Sequence, residues 1–512
     1  MIRLMFVLAA ALLHVAGSQA AFAQAQARSL EEPPKLFSPQ QLLEDFRIAR
    51  SGLEEGHPGV YRYVTKKTLD RQFDEAEKKL DHPMDAYHFY RILAPMVARI
   101  RCGHTNCNLA TPDQDAFMKS ALVAPFQVKL IGRRAYILRD YANDDGAMVG
   151  GEIRAINGRR IERIVADLAA AVTGDGEIPT GRLRKIGEGV VFNIGLGMLL
   201  GLKAPYTVTY REKVTGKVKR VEMPGLTPSR LLELSEENYP QDHQRPDHSA
   251  DLTFMDEGKV ALMTIHVFAG FADKLQKQPM ADFIKESFEL LQKRNTKSLI
   301  LDFRNNGGGQ DELGKLLFSH LTDRSFDYYN DLVINSLHPT FLRYAEGGEA
   351  LSKDLSDYGL EQLPDGRYRN THHPNWGLQQ PSKPTFTGGV FVLTNGGCFS
   401  TTCEFLSIAH FHHRAVFIGE EGGGGYYGNT SGFFWSLTLP NTKAQVHVPG
   451  MDYIMAVSGY KYPGRGVMPD YPVQPTMADR LTGHDPEMEV ALDLAKRARP
   501  SARSRTREAV IE

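Results

Sequence analysis

Ser298-Leu299-Ile300-Leu301-Asp302-Phe303-Arg304-Asn305-Asn306-Gly307-Gly308-Gly309 is the stretch whose reading decides the fold. Its first half is a short apolar run closed by a turn signal, the pattern of a strand buried on both faces. The glycine loop that follows lies where parallel sheets place their sites, beyond the carboxyl ends of the strands. Its amides can form a nest for an anion, and its three glycines let a substrate backbone approach closely. No Gly-Lys-Ser/Thr follows, so it is not a phosphate loop. The alternative is a plain turn.

Outward from this loop the pattern alternates. Val260–Ile265 reads as a strand and Asp282–Arg294 as an amphipathic helix. Leu313, Leu316, Leu317 and Leu321 mark the helix after the loop. Val390–Leu393 is the next strand, followed by a turn at Asn395-Gly396-Gly397 and a helix through Phe405, Leu406 and Ala409. Ala415–Ile418 is the strand after that. Strand and helix in alternation predict a largely parallel α/β core over residues 250–485. Residues 325–385, polar and aromatic, read as an insertion at the mouth of the site.

Two regions precede the core. Residues 24–115 predict an all-helical cap. Ser38-Pro39-Gln40-Gln41 opens its first helix with a capping box, and further helices run near Thr68–Leu80 and after Asp85. Residues 120–225 predict a compact β-rich module, with strands at Phe126–Leu130, Ala135–Leu138 and Tyr206–Tyr210 and a turn at Asn157-Gly158. Met1–Ala23 reads as a secretory signal: Arg3 is the basic end, Leu4 to Val15 the short apolar run, and Ala21-Phe22-Ala23 the cleavage site. That run is too short to span a bilayer, so no stable membrane span is expected after cleavage. The expected compartment is periplasmic or secreted. Residues 496–512 form a basic tail, expected to be disordered.

The chain has 512 residues, with 60 Lys plus Arg against 61 Asp plus Glu, a formal charge of −1. That balance gives no electrostatic reason to expect nucleic acid. A hydrophobic content of 42% with 24% charged residues is globular and excludes wholesale disorder.

Ser400 falls at the start of a helix after a strand and a glycine turn. There the amide of Thr401 points outward and can stabilise an oxyanion. The arrangement follows the logic of a nucleophile elbow without its GxSxG spelling. Taken alone, this unit reads first as a plain helix cap at Ser400. His104, after Gly103, is a candidate base, because an imidazole titrates near neutrality.

Together these pieces resemble the C-terminal processing, or tail-specific, serine peptidases. Leu299–Gly309 is similar to that family's strand and glycine loop, and Val392–Ser400 to its nucleophile motif. Arg414-Ala415 and Gly419-Glu420 follow at the family's spacing, and Gly466-Val467-Met468-Pro469-Asp470 resembles its closing GVxPD strand. Ile153–Gly158 looks like part of its PDZ-type module. The lysine base of the processing branch is absent, because Gly425 stands in its place. Gly103-His104-Thr105 instead resembles the Gly-His-Thr of the tricorn-core and retinoid-binding-protein-like branch, where the histidine is the base. The glutamate often found before GVxPD is replaced by Pro463, which leaves the third catalytic member unknown.

The resemblance implies a Clp-protease- and crotonase-like core, with Ser400 as nucleophile, His104 as base and the amides of Gly308 and Thr401 as oxyanion hole. It implies peptide or protein substrates, strand addition to the PDZ-like module, and neither metal nor organic cofactor. Lys461, near the closing motif, is the alternative base. A catalytically inactive protein binding a peptide or an apolar ligand is the rival on the same fold. A zinc protein using Cys102, Cys107, Cys398 and Cys403 with His104 is a second rival, at a spacing that matches no standard zinc pattern. If His104 and Ser400 meet, the two cysteine windows adjoin, and an exported chain would favour a disulfide between them.

Overall fold

The computed structural model describes residues 35–143, 146–244, 246, 248–269 and 279–497. The signal-peptide reading therefore lies outside the described residues, as does the tail beyond Arg497. No helix among the described residues is long and apolar enough to cross a membrane.

The core sheet runs Tyr471–Pro472, Val416–Gly419, Gly389–Thr394, Ser298–Asp302, Val260–Ile265, Ala250–Met255. Its neighbours are parallel except for the last pair. The buried strand Ser298–Asp302 sits in the middle, with Asp302 opposite Leu393 and Thr264. That register ends two adjacent strands at the same level, so the loops leaving them, at Phe303 and Asn395, emerge side by side. Helices Asp311–Ser319 and Thr401–Phe411 follow the two loops and share one apolar cluster. The closing segment Gly466–Asp470 leads into the edge strand Tyr471–Pro472 rather than forming the strand itself.

The segment read as an insertion is more than that. Tyr329–Ile334 is a strand of a second sheet, paired with Gln445–Met455. Gln445–Met455 also pairs with Gly428–Thr438, forming a long ribbon that the sequence reading did not anticipate. This ribbon carries the helical cap. Asp45, on the helix Pro39–Gly56, is fully buried and accepts from Asn441 and Thr442 at the ribbon's turn. The short strand Asn106–Asn108 pairs with Gln445–Met455, Asn106 opposite His447. His104 is thus fixed two residues from a sheet edge.

In the β-rich region of residues 120–225 the strands form an antiparallel sheet, Phe126–Ile131, Arg134–Asp140, Glu152–Ile156, Tyr206–Arg211, Val218–Met223. It also has helices Pro179–Ile186 and Val191–Met198, which the sequence reading missed.

The four cysteines are free. The expected cross-link between their windows is not formed, because the windows feed different cores. Cys102 and Cys107 belong to the cap's apolar cluster, Cys398 and Cys403 to the sheet's. Cys102 Sγ faces the carbonyl of Thr430 at 3.6 Å, and Cys398 Sγ that of Phe303 at 3.1 Å. The same partition denies zinc a four-sulfur ligand set.

Arg304 locks the glycine loop to the C-terminal helix Pro486–Arg497. It donates to Asp302, to both oxygens of Asp485, and to the buried Glu487 at 2.8 Å. Arg304→Met should cost about 3–5 kcal/mol at neutral pH, since it leaves carboxylates facing one another without a cation. Arg304 holds the Asp485 carboxyl below its usual range despite burial. That share of stability is present above the usual carboxyl range and disappears as pH falls through the lowered value. Urea unfolding should therefore show a gap between wild type and variant that shrinks on acidification.

Candidate active site

Asparagines fasten the two emerging loops together. Asn395 Oδ1 accepts from the amides of Asn305 and Gly397, and Asn395 Nδ2 donates to Asn305 Oδ1 at 3.1 Å. The amide of Phe399 donates to the carbonyl of Asn306 at 3.0 Å. Asn306 is fully buried and donates from Nδ2 to the carbonyl of Ile265, tying in the next strand as well.

Ser400 caps the buried helix Thr401–Phe411 with φ 53° and ψ −131°. A non-glycine residue there is strained and is held by its surroundings. A Cβ on Gly308 would lie 2.7 Å from Ser400 Cβ and 3.0 Å from the amide of Thr401. Gly308 also has φ 105°, so glycine is required on both counts. The loop and the serine turn therefore touch backbone to backbone.

The two expected oxyanion donors differ in state. Thr401 is the first helical residue, whose amide has no partner within the helix. Its hydroxyl donates to the carbonyl of Gly309 at 2.7 Å. The amide of Gly308, in contrast, donates to Asn306 Oδ1 at 2.9 Å. Asn306 must give up that bond before Gly308 can serve an oxyanion.

His104 is brought to the same place. Its ring packs on that of Phe399, the residue before Ser400, with centroids 4.5 Å apart. Its Nδ1 is buried and has no hydrogen-bond partner among the described residues. Burial pushes its pKa down to about 4, against the opposing pull of Asp175 and with help from Lys185. Lys461 is exposed and lines a separate cleft with His410, Tyr460 and Asp470. Pro463 is exposed too.

Sequence reasoning missed Asp175 and Lys185. Asp175 is buried in the module and accepts from the amide of Gly103 at 2.6 Å and that of Gly425 at 3.1 Å. One carboxylate thereby joins the cap loop of His104 to the core loop that holds Gly425. Lys185, on Pro179–Ile186, donates to the carbonyls of Gly103 and Thr173 and lies 5.3 Å above the Phe399 ring. The only sequence trace of Asp175 is a Gly-Asp-Gly turn at residues 174–176, which reads as a loop. A cleft of about 260 Å³ opens here, lined by Gly181, Arg184, Lys185, Asn305, Gly397 and Phe399 among others.

Residues 259–473 match peptidase family S41. The core belongs to that family. It is a serine-type peptidase core, of a family whose substrates are peptides or proteins. The fold is similar to the crystal structure of mature CPAF, with TM-score 0.58 and 15% identity over 90% of this chain and 97% of that one. Mature CPAF complexed with lactacystin gives TM-score 0.57 at 15% identity, covering 90% and 98%. The photosystem II D1 C-terminal processing protease overlays at TM-score 0.39 and 15% identity, covering 85% and 93%. No curated protein matches the sequence.

Gly308→Ala should place a methyl against Ser400 and Thr401 in a backbone region costly to alanine, by about 1–3 kcal/mol. The expected result is a folded protein of lower Tm whose Ser400 reacts far more slowly with a fluorophosphonate. A folded variant labelled at the wild-type rate would show that the contact has no role in placing the serine.

Proposed function

We propose that the chain is an exported serine peptidase in which Ser400 is the nucleophile and His104 the general base. The observation that carries this reading is the backbone of Ser400, held at positive φ over Gly308 at the head of a buried helix. Ser400 Oγ attacks the scissile carbonyl while neutral His104 takes its proton. Charge developing on the carbonyl oxygen is met by the amide of Thr401 and by that of Gly308 once Asn306 releases it. The imidazole reaches Ser400 by leaving the face of Phe399. The module of residues 120–225 binds the peptide by strand addition, and the leader Met1–Ala23 directs export to the periplasm or beyond.

The rival is a binding protein on the same fold. It draws support from the engaged amide of Gly308 and from the stacking of His104 on Phe399. Fluorophosphonate labelling separates the two readings. Wild type should label at Ser400 and hydrolyse unfolded protein substrates. Ser400→Ala should do neither while keeping its fold, since the Ser400 side chain makes no capping hydrogen bond to the helix. Hydrolysis that survives in Ser400→Ala would end the peptidase mechanism.

The pH profile gives a second test. A base must be neutral to accept the serine proton, so activity is present above its pKa and lost below it. With His104 lowered to about 4, the acid limb should fall well below the ordinary histidine range, and His104→Ala should lower kcat by several orders of magnitude. An acid limb at the ordinary histidine value would show that the imidazole is solvated in the working enzyme.

A further inference from the structure

Behind Ser400 the Tyr329 hydroxyl stands between two carboxyl groups. Its oxygen is 2.7 Å from Asp311 Oδ2 and 2.9 Å from Glu404 Oε2. A phenol has one hydrogen to donate. It can satisfy one carboxylate, and then it must accept from the other, which needs a proton of its own.

The surrounding bonds assign that proton. Asp311 Oδ2 also accepts from Asn375 Nδ2 at 3.1 Å. His373 Nδ1 accepts from the amide of Asn375, so its hydrogen is on Nε2, which faces the same Asp311 oxygen at 3.4 Å. Asp311 is therefore ringed by donors and is the ionised member. Among the described residues Glu404 receives only one donor besides the phenol, Asn429 Nδ2 on Oε1 at 2.7 Å. The Asn429 amide is oriented by the Ser431 hydroxyl, which donates to its Oδ1. Oε2 is thus left to carry the hydrogen.

We infer that Glu404 is held protonated and donates to Tyr329, which donates to Asp311, and that this shared proton positions Ser400 against the glycine loop. Glu404 lies one helical turn beyond Ser400, its amide bonded to the serine carbonyl at 3.1 Å. Asp311 begins the helix two residues after Gly309. The chain of two hydrogen bonds therefore joins the helix of the nucleophile to the helix of the oxyanion loop. Glu404 is a positioning residue, since it does not touch the reacting atoms. Its role rests on the proposed peptidase mechanism.

The groups facing Glu404 favour the neutral form. Asp311 comes from its own helix, Tyr328 and Tyr329 from the second sheet's strand and its approach, Tyr453 from the ribbon, and Cys403 from the same helix as Glu404. None of these is a cation. Burial and then the charge of Asp311 push Glu404 up to about 8. Above that value two carboxylates compete for one phenol hydrogen, and the helices lose their link.

The test uses the full chain as wild type, Glu404→Gln and Asp311→Asn, with two readouts across pH. One is the rate of Ser400 labelling by a fluorophosphonate, the other is Tm. In Glu404→Gln a permanent N–H replaces the shared proton. In Asp311→Asn the opposing charge is gone, so an ionised Glu404 simply accepts from Tyr329. Wild-type labelling should fall about ten-fold per pH unit above the Glu404 value, and neither variant should show that fall. The linkage sign follows from a carboxyl whose folded pKa is raised. Wild type loses stability relative to Glu404→Gln from the ordinary carboxyl range up to about 8, and the gap is constant above. A Tm gap independent of pH overturns the shared proton. Wild-type labelling without an alkaline fall, or with the same fall in both variants, overturns the positioning role. If nothing labels at any pH, the Ser400 mechanism fails, while the Tm gap still decides on the proton. Should Glu404→Gln not fold, Asp311→Asn carries the same comparison.

Discussion

The site depends on a contact that has no room for a methyl group. Gly308 lies against Ser400 and Thr401, and six residues on, a Cβ at Gly314 would meet Thr401 Cγ2 at 2.8 Å. A loop, a turn and two helices can approach this closely only if the strands that feed them end at one level. The parallel register of Asp302 with Leu393 supplies that level. The Asn305–Asn395 pair then holds the loops against drift, because each amide satisfies backbone or side-chain groups of the other loop. Electrostatic work on an oxyanion requires donors fixed before the reaction, and this backbone contact is what fixes Thr401.

His104 reaches the site from the opposite direction. The ribbon of residues 428–455 holds the cap, and the cap holds the Gly103–Thr105 loop; Asp175 of the module clamps that loop to the core through Gly103 and Gly425. All three regions therefore meet at one buried carboxylate. The burial that makes this junction firm also depresses the imidazole's basicity. An imidazole buried among Phe399, Lys185 and Asp175 is neutral at physiological pH, and in the proposed mechanism its proton affinity rises only as the substrate's charge develops beside it.

Legibility in the sequence followed the range of the interactions. Ser298–Asp302 and Val260–Ile265 read true to the residue, because a strand buried on both faces is a continuous apolar run. The cap's first helix read true because Ser38 and Gln41 form the capping box locally. Gly428–Thr438 was illegible: it opens Gly-Asn-Thr-Ser-Gly and is a strand only because Gln445–Met455 lies beside it. The three-residue strand Asn106–Asn108 is polar and has no pattern of its own. Ser400, Gly308 and His104 were singled out through motif and resemblance. Asp175 was not, because its function lies in two amides 72 and 250 residues away. The cysteine expectation failed for a related reason. Adjacent windows do not make adjacent thiols when each side chain turns into the core of its own region.

The helix after Ser400 is buried from Thr401 through Ala409, so its polar side chains cannot turn to water. They answer to their neighbours instead. Thr401 donates to Gly309, Cys403 to the carbonyl of Cys398, and Ser407 to that of Cys403. Such bonds tie the helix to its own turn and to the glycine loop, but a hydroxyl or thiol is too short to reach the second sheet. Glu404 is long enough. Its carboxyl spans to Asn429 on the ribbon and Tyr329 on the neighbouring strand. Buried polar networks are costly when half satisfied and specify a single arrangement when complete. The network around Glu404 is completed only by one added proton, so the placement of the Ser400 helix against both sheets is coupled to a titration deep behind the site rather than at its mouth.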